Sequence, residues 1–165
     1  MSVSDASCET TLTAPETEES IPLLLSDVTR MFWRRLEAAM RANDLDFTAG
    51  EARALVQAYK AASFRQTSLA ERMCIEPMTL VGVIDRLEKR GLLERTADPH
   101  DRRAKLVRVT PGAAPIVERI LQVAARVKAE VTSSLSQEEV DTLRQLLARV
   151  RQNLRDLLIE EAAAS

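Results

Sequence analysis

Between Ile21 and Ala42, apolar residues stand at 21, 25, 28, 32 and 36, the spacing of one face of an α-helix. Pro22 falls where a first-turn proline is tolerated, and Asn43-Asp44 ends the pattern. Thr48-Ala-Gly-Glu51 has the form of a capping box and predicts a second helix to about Tyr59 or Lys60. A short third helix holds Leu69-Ala-Glu-Arg-Met73, with Thr67 or Ser68 as its cap and Cys74-Ile75 as a tight connection. Pro77 then opens a fourth helix at its first position; it runs to Arg90, and Gly91 sits where a C′ glycine belongs. After Gly91 the period changes. Leu92 to Arg95 and Arg103 to Val109 read as two strands, and the turn-rich Ala97-Asp-Pro-His-Asp101 lies between them. Thr110-Pro111 caps a fifth helix with apolar positions 116, 120, 123, 127 and 131. A second capping box, Ser136-Gln-Glu-Glu139, starts a sixth helix. Its Val140, Leu143, Leu147, Val150, Leu154 and Leu157 form a heptad seam that Leu146 and Leu158 widen.

The fourth helix has Leu80, Val83, Ile84 and Leu87 on one face and Met78, Val81, Gly82, Asp85, Arg86 and Lys89 on the other. A short helix tightly joined to an amphipathic one describes a helix-turn-helix, and the hairpin that follows makes it winged. The predicted fold is therefore mainly α with a small β-hairpin wing (α+β), carrying long N- and C-terminal helices for dimerisation. The seam needs a cover: eight Leu and Val side chains, at about 1.5–3 kcal/mol each, are worth on the order of 10–20 kcal/mol when buried. The first and fifth helices can cover part of it, and a two-fold dimer through the first, fifth and sixth helices covers the rest. A monomeric hairpin packed on the first helix is the alternative. The expected organisation is an acidic tail (1–20), an N-terminal dimerisation helix (21–44), a winged lobe (45–110) and C-terminal dimerisation helices (111–163).

Charge sharpens this picture. The 165 residues carry 23 basic and 25 acidic side chains, a net −2. The first twenty residues hold five acids and no base, so the remainder is +3, and the stretch Arg86–Arg108 is +4. A basic segment is thus hidden in an acidic chain, and the Ser/Thr/Glu-rich tail reads as disordered. Apolar content of 45% allows an ordinary core. No apolar run approaches the ~18 residues of a membrane helix, and no secretory signal is visible, so a cytoplasmic protein without membrane contact is expected. Two cysteines, Cys8 and Cys74, make no disulfide framework. With one histidine, His100, and no catalytic triad, phosphate loop or metal spacing, neither an enzyme nor a cofactor or metal site is expected.

Several segments together carry a family resemblance. Leu69-Ala-Glu-Arg-Met, Glu76-Pro-Met-Thr-Leu, Val83-Ile-Asp-Arg-Leu-Glu-Lys-Arg-Gly-Leu-Leu-Glu-Arg95 and Asp98-Pro-His-Asp-Arg-Arg-Ala-Lys-Leu-Val-Arg-Val-Thr110 resemble the MarR/SlyA family over about residues 48–112. That resemblance implies a bacterial, dimeric winged-helix transcription regulator, most often a repressor, on double-stranded DNA with a pseudo-palindromic operator. Many members are released by small aromatic or phenolic ligands and some by thiol oxidation. It places the fourth helix in the major groove, through Pro77, Met78, Thr79, Val81, Gly82 and Arg86, and the wing arginine, Arg103, in the neighbouring minor groove. In some members an acidic residue such as Glu76 pairs with that arginine. Members often have Thr-Arg or Val-Arg where this chain has Val81-Gly82. The change removes a bidentate guanine donor and leaves a close backbone approach to DNA, an altered operator or a weakened readout.

Arg86 reads as a phosphate or base contact and Lys89, beside it on the outer face, as a further DNA-binding residue; Arg102 and Lys105 are phosphate-contact candidates, although Lys105 fits a solvated strand face equally well. Asp85 would repel phosphate and reads as a partner for a nearby base. All five aromatics lie between residues 32 and 64; they read first as core, with Trp33, Tyr59 and Phe64 as candidates to line a ligand crevice. Cys74 reads chiefly as a small buried packing residue, and a redox role for it is the alternative. Leu143, Leu147, Val150, Leu154 and Leu157 are the dimerisation candidates. A winged helix that docks a protein rather than DNA is the competing function.

Overall fold

The computed structural model describes residues 20–61, 63–98 and 101–164, with 101–105 described by their backbone alone. The expected acidic tail with Cys8, the wing tip Pro99-His100, and the side chains of Arg102, Arg103 and Lys105 lie outside the described residues, as does any Glu76–Arg103 pairing.

The element order is α1 (Ile21–Arg41), α2 (Ala49–Ala61), β1 (Ser63–Arg65), α3 (Gln66–Met73), α4 (Pro77–Lys89), β2 (Leu93–Asp98), β3 (Asp101–Val109), α5 (Ala113–Val131) and α6 (Gln137–Ala164). Both capping boxes form. The Thr48 N–H donates to Glu51 Oε2 at 2.9 Å and the Glu51 N–H to Thr48 Oγ1 at 3.2 Å, and Ser136 and Glu139 repeat the exchange at 2.7 and 3.2 Å. Helix α4 ends as its sequence predicts. Gly91 takes φ +68°, its N–H reaches the Glu88 carbonyl, and the Leu92 N–H reaches the Leu87 carbonyl. Cys74 ends α3 in the same way with φ 51°, a conformation that a side chain seldom takes.

Three local expectations are corrected. Neither Thr67 nor Ser68 caps α3, which starts at Gln66, behind Arg65, with no side-chain cap. Helix α5 starts at Ala113, not at Thr110-Pro111, because the Thr110 hydroxyl donates to the Gly91 carbonyl at 2.7 Å and closes the base of the wing. A third strand, β1, joins the hairpin: Ser63, Phe64 and Arg65 pair antiparallel with Arg108, Val107 and Leu106, giving the order β1-β3-β2. The sheet thus ties the wing to the start of α3. A bulge between Ala97 and Asp98 ends the regular β2–β3 ladder.

The core is built from Leu36 and Met40 of α1, Leu55 of α2, Leu69 and Met73 of α3, the Leu80/Val83/Ile84/Leu87 face of α4, Leu93 and Val107 of the wing, and Val117 to Val127 of α5. The apolar stripe of α1 divides. Leu36 enters the core, Leu25 and Phe32 are half-buried, and Ile21 and Val28 are exposed, as are Leu24 and Met31 beside them. Helix α6 has no buried residue, and Leu143, Leu147, Val150, Leu154 and Leu157 are all exposed in the single chain. Val140, at the start of the seam, is half-buried beside the end of α5, and the rest of the stripe is left uncovered by its own chain, so the monomeric hairpin packed on the first helix does not form.

Candidate nucleic-acid interface

Helix α4 turns one face inward and leaves the other open. Pro77, Met78, Thr79, Arg86 and Lys89 are exposed, Val81 and Gly82 are half-buried, and Met78 at 79% is the most exposed large apolar side chain among the described residues. The proline at the first helical position is pre-set for φ, and Glu76 before it is extended. Four ionic contacts set the frame of this face. Glu51, only 6% exposed, accepts the Arg86 Nε–H at 2.5 Å through Oε1 while Oε2 holds the Thr48 N–H. Burial by itself pushes the Glu51 carboxyl up, but the Thr48 N–H, the Arg86 guanidinium and the Thr48 hydroxyl outweigh it, and its pKa lies below the ordinary glutamate value. Arg95 of β2 bridges Asp85, at 2.5 Å, and Glu88, both on α4. Burial opposes the Arg95 charge and the two carboxylates more than restore it. Asp85 is thus occupied with a neighbouring base, as its position on the outer face suggests. Nearer the wing tip, Asp98, 5% exposed, accepts both Nε and Nη2 of Arg65 at 3.1 and 2.8 Å. The wing is therefore clamped to α4 at its base and to the start of α3 near its end.

Arg90, just past α4, lies 3.7 Å over the Phe47 ring and donates to the Asp46 carbonyl. This couples the end of α4 to the entry of α2. Ala49 of α2 in turn donates its N–H to Glu37 Oε1 of α1 at 2.7 Å. Each of these links spans a long stretch of chain, which is why only their local halves were legible: Glu51 reads in the sequence as a cap and not as the partner of a residue 35 positions away.

A pocket of about 240 Å³ opens between α1, α2 and α5, lined by Phe32, Trp33, Leu36, Ala52, Arg53, Val56, Gln57, Ile120, Leu121 and Ala124. Of the three aromatic candidates only Trp33 lines it, with its ring edge-on to Phe32 at 5.4 Å. Tyr59 is exposed at the far end of α2, and Phe64 is buried in β1, so the structure does not bring the three together. Arg53, Gln57 and the α5 residues were missed because no local period marks a wall shared by three helices. Cys74 is exposed, which overturns the expected burial: the left-handed turn points its Sγ back to the Glu71 carbonyl at 3.6 Å and away from the core. Among the described residues no cluster of His, Cys, Asp and Glu is placed to hold a metal, and no helix is long and apolar enough to cross a membrane.

A helix-turn-helix whose second helix presents an open face, followed by a sheet that carries a long hairpin, defines the winged helix-turn-helix class. Comparison with known proteins narrows it. The family model described as MarR family matches residues 47–105. A cysteine-to-serine variant of E. coli MarR, solved in complex with operator DNA, is 32% identical, with a TM-score of 0.71 over 79% of this chain and 94% of that one. A probable transcriptional regulator from Pseudomonas aeruginosa is 30% identical, with a TM-score of 0.73 over 80% and 97%. A MarR-family regulator from Rhodococcus sp. RHA1 is 25% identical, with a TM-score of 0.75 over 83% and 96%. The chain belongs to the MarR family of transcriptional regulators.

Proposed function

We propose that this protein is a homodimeric, sequence-specific repressor that binds a pseudo-palindromic operator and is released by a small aromatic or phenolic ligand. The observation that carries the reading is the outer face of α4. It is open from Pro77 to Lys89, with an exposed methionine and an oriented arginine on it, and it is clamped to a wing whose sequence is basic. The relative solved on operator DNA, similar over nearly its whole length, supports major-groove entry by this helix. Pro77, Met78, Thr79, Val81, Gly82 and Arg86 then face base edges. Lys89, Arg102 and Lys105 neutralise phosphate, and Arg103 enters the minor groove.

The uncovered apolar stripes of α1 and α6 support the dimer. Leu143, Leu147, Val150, Leu154 and Leu157 stay in water unless a second copy covers them. Two copies of α4 set about 34–36 Å apart would read successive major grooves on one side of the duplex. The pocket between α1, α2 and α5 suits the ligand, because its walls are largely apolar and Arg53 and Gln57 offer polar groups to a carboxylate or phenol. A ligand that binds better to a form with the wrong spacing of the two α4 helices shifts the population off DNA. The direct test is a gel shift with the DNA upstream of the protein's own gene. The expected result is a complex that survives excess nonspecific duplex at moderate salt; a complex lost to that competitor would overturn the reading.

A further inference from the structure

We propose that Arg86 is the base-reading donor of α4 and that Glu51, on a different helix, is its positioning residue. The inference rests on the reading that α4 enters the major groove.

Three observations meet at this point. First, the guanidinium has a vacant surface to lie on. Arg86 Nη1 stands 3.6 Å from where a Cβ of Gly82 would be, so the side chain runs back along one helical turn and lies over the bare backbone at 82. Second, it is held there by a buried carboxylate that is itself bonded through its other oxygen. Glu51 Oε1 takes the Arg86 Nε–H, and Oε2 is fixed by the Thr48 N–H at the first turn of α2. Third, the hold leaves the working end open. The Arg86 side chain is 55% exposed and that of Glu51 8%, and the bond between them uses Nε. The outer edge of the guanidinium, Nη1 and Nη2, has the fork spacing that meets O6 and N7 of a guanine. Arg90, the next arginine along, is committed to the Phe47 ring and the Asp46 carbonyl. A long side chain pinned in advance gives up its rotamer freedom before DNA arrives and so loses less on binding.

The test starts by selecting a duplex from a random library with the intact wild-type protein. Affinities are then measured for that duplex and for each single-base replacement of it. Arg86→Lys keeps the charge and removes the fork. It is expected to lose roughly tenfold or more of the discrimination at one guanine in each half-site and to keep the salt dependence of binding. Glu51→Gln retains a capping box, since glutamine also serves there. Its amide has only one accepting oxygen and cannot serve both the Thr48 N–H and Arg86 Nε, so it is expected to lose discrimination at that same guanine. The double variant Glu51→Gln/Arg86→Lys is expected to be no worse than Arg86→Lys alone. A purely structural role for Glu51 would instead weaken every duplex alike. That outcome, or wild-type base preferences in Glu51→Gln, would overturn the positioning role. Unchanged preferences in Arg86→Lys would overturn the whole inference while leaving α4 on DNA. A wild-type protein that selects no sequence would take down the DNA reading itself.

Discussion

Gly82 sits in the middle of α4, and replacing it with alanine separates stability from reading. The backbone there has no positive φ, and an added Cβ would meet only Arg86 Nη1, at 3.6 Å, an ordinary contact with the end of a flexible side chain. Nothing therefore opposes the intrinsic preference of a helix interior for alanine, which is about 0.5–1 kcal/mol per residue. For a chain of this size the gain corresponds to about 1–4 °C in Tm. Gly91 is the internal control. It has as much open space but φ +68°, so Gly91→Ala is expected to destabilise by roughly 1 kcal/mol. Urea unfolding followed by far-UV circular dichroism at one fixed protein concentration measures both variants. A Gly82→Ala protein no more stable than wild type would refute the argument that this turn of α4 is unstrained and open. Operator affinity is expected to move the other way. The new methyl group stands on the face that carries Met78 and Arg86, where it holds the duplex off the backbone. A more stable protein that binds its operator less well would mark the glycine as a functional residue.

Three further outcomes follow from the same structure. Leu147→Asp with Leu154→Asp places two charges in the α6 stripe and is expected to yield monomers in sedimentation at micromolar concentration; a persistent dimer would show that the stripe is not the interface. Trp33 is the chain's single tryptophan and lines the α1–α2–α5 pocket, so titration with a small aromatic acid is expected to change its fluorescence saturably, and Ala124→Trp, which fills the pocket, is expected to abolish that ligand's effect on operator binding. The Glu51 carboxyl titrates lower in the folded chain than its ordinary value of 4.5, so the stability it adds is complete above that value and is lost as pH falls through the folded pKa. The stability difference between wild type and Glu51→Gln is accordingly expected to shrink in acid, and a difference that grows there would reverse the assigned sign.

Local chemistry made much of the fold legible. The two capping boxes, Pro77 at the start of α4, Gly91 beyond its end and the period change after it each act within about five residues of chain, and each forms where the sequence places it. The heptad on α6 is likewise visible in one dimension, as a stripe that its own chain leaves uncovered. What the sequence alone did not determine is whatever joins distant segments. Strand β1 is three residues long, too short for a period, and exists because β3 offers an edge more than forty positions away. Cys74 looks like a packing residue until the left-handed end of α3 turns it outward. The pocket needs walls from three helices, which separated Trp33 from Tyr59 and Phe64. Glu51 met Arg86, and Arg95 met Asp85 and Glu88, only once α2, α4 and the wing had packed. Caps and turns are decided by neighbours along the chain, whereas an ion pair across two helices depends on how buried faces align, and that alignment is a property of the whole core.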